Sequence, residues 1–177
     1  MITRRRMLAA AASSAAALPL AELSRAAARE RWIELMNTHT NEVVSVAYRN
    51  EDGFVPEALA RLDHVLRDHR SGEQREMDRA LFDLLVDLAA AAQREPRYEI
   101  ISGYRSPATN AKLAAQGSGV SARSLHIQGR AIDVRLVGFS TAELRDLALA
   151  MKRGGVGYYA RPNFVHLDTG RVRRWVG

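Results

Sequence analysis

No cysteine occurs anywhere in the chain, and this absence limits the possible folds more than any other feature of the sequence. No disulfide can staple a loop-rich scaffold, and no thiolate-ligated zinc can organise one. Without those staples the fold must rest mainly on a hydrophobic core. With 177 residues, 47% apolar and 26% charged, the chain is long enough for one domain with such a core. The same absence removes thiol nucleophiles from the available chemistry.

The first 28 residues read as an address, not as part of that core. Thr3-Arg4-Arg5-Arg6-Met7-Leu8 is a basic head, and an Ala-rich apolar stretch follows it. This order marks an export signal, and the paired Arg4–Arg5 resembles a twin-arginine signal. Ser13, Ser14 and Pro19 interrupt the apolar stretch, which makes it a poor permanent membrane span. The expected division is an export signal over 1–28, cut near Ala26–Ala28, and one domain over 29–177 that acts in the periplasm or cell envelope. The formal net charge is +6, falling to about +3 without the leader. That modest charge comes with no dense basic helix and no interleaved aromatics, so it does not point to nucleic acid. It would suit an anionic polymer such as a cell wall. No later segment is long and apolar enough to cross a bilayer.

Residues 31–48 hold two strand patterns, RWIELMN and EVVSVAY, around the polar turn HTN, which predicts a hairpin. NEDG (50–53) is the next turn. Pro56 opens a helix with Leu59, Leu62, Val65 and Leu66 on one face, broken by Ser71-Gly72-Glu73. A second helix carries Met77, Leu81, Leu84, Leu85 and Leu88, and Pro96 ends that region. RYEIISGY (97–104) reads as a buried strand. Ser106 can cap a short helix over 106–116, with Pro107 at its first position, and 117–124 is a flexible loop. AIDVRL (131–136) is a strand. Ser140 and Glu143 form a capping box for a helix with Leu144, Leu147, Ala148 and Met151 inward, stopped at Gly154–Gly155. GVGYYA and NFVHLD are strands around an Arg161–Pro162 turn. The expected class is α+β, with N-terminal helices packed on a small, mainly antiparallel sheet that carries the polar residues of interest.

On the strand 131–136, Ile132, Val134 and Leu136 face one side and Asp133 the other, beside the small Ala131. On the strand ending at 168, Val165 and Leu167 face one side; Phe164, His166 and Asp168 face the other. His126 lies in the turn before the first of these strands, and Gly129 lets the backbone fold close. His126, Asp133 and His166 together make two imidazoles and one carboxylate. A catalytic zinc takes three protein ligands and keeps one open position for water. A metal so held brings the pKa of bound water to roughly 7 and polarises a carbonyl, so amides can be cleaved without a Ser or Cys nucleophile. Asp168 could orient that water, accept its proton or hold His166 in place. The spacing of His126 and Asp133 is by itself a weak signal. His126 could be a structural histidine, and Asp133 could be ion-paired with Arg130 or Arg135. His39, His64 and His69 sit in or near polar turns and read as structural.

These residues also resemble a known family. Ser102-Gly-Tyr-Arg-Ser106 with Thr109-Asn110, Ser124-Leu-His126 through Asp133, Gly155-Val-Gly-Tyr158, and Phe164-Val-His166-Leu-Asp168 are similar to motifs of the YcbK-like murein endopeptidases, a branch of the zinc D-alanyl-D-alanine peptidases. NTHTNE (37–42) and HVLRDHRSGE (64–73) also look like that branch. The resemblance spans roughly residues 31–177. It implies a Hedgehog/DD-peptidase-like fold, one zinc ion held by His126, Asp133 and His166, and a substrate among the peptidoglycan stem peptides. Arg105 matches an arginine that in relatives faces the substrate carbonyl or carboxylate, a role suited to a guanidinium that stays charged and donates several hydrogen bonds. Ser124 matches the family's SxH pattern and is expected to steady the ligand loop or contact substrate. One position departs from the wider superfamily. Where carboxypeptidase members carry a Glu three residues before the last His, this chain has Asn163, which cannot ionise. Asp168 then becomes the candidate base.

Three functions fit these features. The leading one is a zinc-dependent endopeptidase that hydrolyses cross-links between stem peptides. The second is a non-catalytic, metal-stabilised wall-binding module. The third is a D,D- or L,D-carboxypeptidase that trims free stem-peptide ends. Two His and one Asp favour zinc over manganese or iron.

Overall fold

The structure, a computed structural model, describes residues 30–116 and 121–177. The expected export signal and part of the 117–124 loop lie outside these residues. Eight strands form one sheet: β1 (Arg31–Asn37), β2 (Val43–Asn50), β3 (Gly53–Phe54), β4 (Arg97–Ser102), β5 (Ala131–Leu136), β6 (Gly155–Tyr159), β7 (Phe164–Asp168) and β8 (Arg173–Val176), in the order β3-β2-β1-β4-β5-β7-β6-β8. Among the described residues four α-helices connect them: α1 (Pro56–Val65), α2 (Arg79–Ala91), α3 (Pro107–Ala115) and α4 (Thr141–Met151).

The α+β class holds, but the order of helices and sheet differs from the sequence reading. The hairpin β1–β2 does not stand apart. β1 pairs in parallel with β4, so the chain must cross over through α1 and α2 to return beside it. The sheet is therefore larger than expected, and the helices alternate with its strands. Its remaining pairs are antiparallel except β6–β8, which is parallel.

Alternation along the strands sorts the sheet's two faces. Ile33 and Leu35 of β1, Tyr98 and Ile100 of β4, Ile132 and Val134 of β5, and Val165 and Leu167 of β7 are buried in one hydrophobic core. The helices cover that face: α1 packs on β1 and β2, α2 on β1 and β5, and α4 on β5, β6 and β7. Asp78 caps α2 by accepting a hydrogen bond from Ala80 N at 3.0 Å, and Leu81, Phe82, Leu84, Leu85 and Leu88 turn inward. Met77, expected inside this helix, lies just before it. It is buried, and its N–H donates to Asp63 Oδ1 at 2.9 Å.

The capping of α3 follows expectation: Ser106 Oγ accepts from Thr109 N at 3.1 Å, with Pro107 opening the helix. That of α4 does not. Ser140 occupies the N-cap position but makes no side-chain cap bond, and the helix ends at Lys152 in the left-handed conformation (φ 53°), ahead of the two glycines. The upstream motifs brace turns. Asn37 donates to Val65 O at 2.9 Å and accepts from the N–H groups of His39 and Thr40. Asp68 accepts from Ser106 N at 2.9 Å and Arg70 N at 3.0 Å, which ties the end of α1 to the start of α3.

Leu85 is fully buried under this helical layer. Leu85→Ala should lower the unfolding free energy by about 2–5 kcal/mol. Urea denaturation of the chain from residue 29 onward measures this, and a loss below about 1 kcal/mol would place α2 outside the core.

Candidate metal centre

The face of the sheet opposite the core carries the polar residues. A register line crosses five strands: Ser102 on β4 pairs with Asp133 on β5, Asp133 with His166 on β7, His166 with Gly157 on β6, and Gly157 with Trp175 on β8. The line depends on an irregularity between Ile100 and Ser102, where β4 slips relative to β5, a feature common beside functional sites.

His126 is delivered from outside the sheet. It sits on a single 3₁₀ turn, Leu125–Gln128, with Ser124 at the N-cap accepting from His126 N at 3.4 Å. Gly129 ends the turn in the left-handed region (φ 69°), and a Cβ there would lie 2.5 Å from Glu76 O. Only glycine meets both demands, as its position in the motif predicted.

The hydrogen bonds fix which nitrogens are free. His126 Nδ1 is 2.7 Å from Gly103 O, and a carbonyl only accepts, so Nδ1 carries the proton and Nε2 keeps its lone pair. His166 Nε2 is 3.1 Å from Asp168 Oδ2. Its other nitrogen, Nδ1, lies 2.8 Å from Asp133 Oδ1 and 3.2 Å from His126 Nε2. Asp133 Oδ2 is 3.4 Å from His126 Nε2. One candidate ligand atom from each of these three buried residues lies within 4.8 Å of the other two. Two imidazole nitrogens and a carboxylate oxygen thus converge on one point, and the donor set fits a metal ion that takes the place of a proton on His166 Nδ1.

Electrostatics agrees. Burial alone would push the His166 imidazole down, but its hydrogen bonds to Asp133 and Asp168 outweigh it and raise the pKa to about 9. Burial pushes His126 down despite the nearby Asp133. Burial would raise Asp133, but the two imidazoles hold it well below the usual carboxylate range. The two carboxylates thus favour a positive charge, a proton or a metal ion, at His166, while burial disfavours one on the His126 ring.

Asp168 is fully buried and saturated with donors. Besides His166 it accepts from Gly155 N at 3.0 Å, Gly170 N at 2.8 Å, and Arg173 at 3.0 and 2.6 Å. Arg105 is buried beside the centre, with Nη2 3.8 Å from Asp133 Oδ2. Its Nη1 and Nη2 reach Asn110 Oδ1 at 3.4 Å and Ser102 Oγ at 3.3 Å, and its Nε has no partner among the described residues. Arg105, Ser124, His126, Asp133 and His166 all line one cleft. Asn163 does not. It adopts φ 55° in the β6–β7 turn, and its Oδ1 accepts from Thr141 Oγ1 at 2.6 Å. Arg130 and Arg135 do not pair with Asp133: Arg130 turns to Thr169 and Asp78, and Arg135 to Glu99. His39 and His69 stack on each other, with ring centroids 3.8 Å apart, and His64 meets Gln74, all outside the cleft.

The sequence reading missed the wall formed by Tyr159, Arg173 and Trp175. The available signal was alternation: Arg173 and Trp175 share a strand face, and Gly157 leaves room across from them. A Cβ at Gly157 would fall 2.5 Å from the Trp175 indole.

Asp168→Asn should destabilise the metal-free protein by about 3 kcal/mol at pH 7, because the buried His166 and the half-buried Arg173 lose their counter-charge. Burial opposes ionisation of Asp168, yet its donors hold its pKa below the usual range. Its contribution is therefore present above the unfolded carboxyl value of about 3.9 and fades as pH falls toward the lower folded value. The gap between the urea midpoints of the two proteins should stay constant from pH 7 to about 4 and narrow steadily below that; a gap that does not narrow between about pH 4 and 2 would contradict this.

Known proteins share this sequence over most of its length. The family described as peptidoglycan L,D-endopeptidase MepK matches residues 25–175. The peptidoglycan L,D-endopeptidase MepK of Escherichia coli K12 is 41% identical over 147 residues, covering 83% of this chain and 81% of that protein. The probable peptidoglycan L,D-endopeptidase MepK of Haemophilus influenzae is 38% identical over 150 residues, covering 84% and 81%. No solved structure matches at a significant level. With its three converging donors, the chain belongs to the peptidoglycan L,D-endopeptidase MepK family.

Proposed function

We propose that this protein is a zinc-dependent peptidoglycan endopeptidase that hydrolyses L,D peptide cross-links between stem peptides. The observation that carries this reading is the convergence of His126, Asp133 and His166 on the floor of an open cleft, in a chain whose relatives bear that activity in their names. One zinc ion would be held by His126 Nε2, a carboxylate oxygen of Asp133 and His166 Nδ1. Zinc in such a site supplies Lewis acidity and brings the pKa of a bound water to roughly 7.

The chain's own residues have separable roles. Asp168 accepts from His166 Nε2 and so turns Nδ1 toward the centre. With every face of its carboxylate bonded, it serves as a positioning residue better than as a base. Arg105 faces the scissile carbonyl or a neighbouring carboxylate of the stem peptide, where its charge draws the anion in. Ser124 holds the His126 turn and offers a polar contact to substrate from the cleft wall. We assign residues 1–28 to a twin-arginine export signal, residues 29–177 to the peptidase domain with a Hedgehog/DD-peptidase-like fold, and the site of action to the periplasm. Among the described residues no helix is long and apolar enough to cross a membrane.

One observation favours the wall-binding alternative. Asp133 is the only carboxylate among the described residues that line the cleft, so a free general base is missing. Digestion of purified cross-linked muropeptides by the chain from residue 29 onward, read by mass spectrometry, separates the readings. Conversion of dimers to monomers, abolished by a chelator and restored by zinc, is expected. Release of a single amino acid from monomers would indicate a carboxypeptidase, and wall binding without cleavage at full zinc loading would indicate a binding module. His126→Ala and Asp133→Ala should each lose zinc retention and cleavage together; full activity in metal-free protein would contradict the proposal.

A further inference from the structure

The cleft wall built by β6 and β8 has a hydroxyl held in an unusual way. Tyr159 lies on β6 two residues beyond Gly157, on the same strand face. Its ring stacks on Phe164 with centroids 4.5 Å apart and planes 19° from parallel. Its Oη accepts a hydrogen bond from Trp175 Nε1 at 3.0 Å. An indole N–H can only donate, so the lone pair of the hydroxyl is engaged and its own proton is left over. No acceptor among the described residues takes that proton, and Tyr159 lines the same cleft as His126, Asp133 and His166.

Trp175 is itself fixed to the centre. Its ring lies 5.0 Å from the His166 ring. Its indole occupies the space that a Cβ at Gly157 would take. Arg173, tied to Asp168, sits 5.0 Å over the Trp175 ring. The position of the Tyr159 hydroxyl is thereby locked relative to His166 before any substrate arrives. A hydrogen bond received from the indole also strengthens the hydroxyl as a donor.

We propose that Tyr159 is a catalytic residue whose hydroxyl donates a hydrogen bond to the scissile carbonyl oxygen as that oxygen gains negative charge, and that Trp175 positions it. The inference rests on the peptide-hydrolase reading above. When water attacks the carbonyl carbon, a C–O bond forms and the π pair moves onto the carbonyl oxygen. Tyr159 keeps its proton throughout and shares it with that oxygen. When the C–N bond breaks, the pair returns to re-form the carbonyl, and the proton given up by the attacking water ends on the leaving amine. The stabilisation is greatest when the oxygen is most charged, which is the condition for raising rate rather than affinity. Arg105, drawn toward Asn110 and Ser102, is left to the neighbouring carboxylate of the stem peptide.

The test compares the zinc-loaded wild type with Tyr159→Phe, which removes one oxygen and keeps the stacked ring. The expected result is a fall in kcat on the order of 10- to 100-fold with KM within about twofold and zinc content unchanged. A second readout needs no turnover. Calorimetric affinity for a phosphinate analogue of the scissile dipeptide should drop by a similar factor, while affinity for the reduced-amide analogue, which has no carbonyl oxygen, stays the same. Trp175→Phe should lower kcat by a smaller factor, and the double variant should be no slower than Tyr159→Phe alone. Wild-type kcat and phosphinate affinity in Tyr159→Phe would overturn the proposal. Should Tyr159→Phe fail to fold, Trp175→Phe with unchanged kcat and phosphinate affinity would overturn it. Wild-type protein that cleaves no muropeptide would instead overturn the endopeptidase reading, and the phosphinate comparison would still decide the role of Tyr159.

Discussion

His166 is gripped from both sides by carboxylates, Asp133 on Nδ1 and Asp168 on Nε2, and most of what surrounds the site follows from that arrangement. A buried imidazole between two buried acids needs either a proton or a metal ion to balance them. Asp168 could not be buried alone, so Arg173 and the N–H groups of Gly155 and Gly170 close around it. Arg173 comes from the last strand, and that strand also brings Trp175 against His166. Strand β8 is thus coupled to His166 through one carboxylate.

The sheet makes this possible by dividing labour between its faces. β5 and β7 present Ile132, Val134, Val165 and Leu167 to the helical layer, and Asp133 and His166 to the other side. The same backbone that is pinned by the core therefore pins two candidate ligands, and side chains on rigid strands hold their geometry better than side chains on loops. Only His126 is supplied by a turn, and that turn is tied down by Ser124, Gly129 and the bond from Nδ1 to Gly103 O.

Legibility of the sequence followed the range of the interactions. The faces of β5 and β7 were readable because a period of two shows directly which residues share a side. The N-cap of α3 was readable because Ser106 acts within three residues. The capping box at Ser140 was misleading: Thr141 is engaged with Asn163 across the fold, and Ser140 makes no cap bond. The parallel pairing of β1 with β4 was invisible because it joins segments about sixty residues apart. β8 was missed because Arg173-Arg174-Trp175-Val176 is short and carries no apolar run, and its place shows only when Gly157 is seen opposite Trp175. The saturation of Asp168 was equally hidden: His166, Gly170 and Arg173 lie within five residues of it and only Gly155 is farther, but no local pattern shows that they all turn toward one carboxylate. Asn163 was noticed as a missing acid. Its left-handed backbone shows that the position also serves a turn, where Asn is tolerated better than most residues.

Every role assigned to these side chains depends on which atoms face the centre. Anomalous diffraction at the zinc edge from crystals of the zinc-loaded chain measures this most directly. One zinc peak should lie about 2.0–2.2 Å from His126 Nε2, a carboxylate oxygen of Asp133 and His166 Nδ1, with His166 Nε2 still bonded to Asp168. Zinc on His166 Nε2, or a peak away from these three residues, would contradict it.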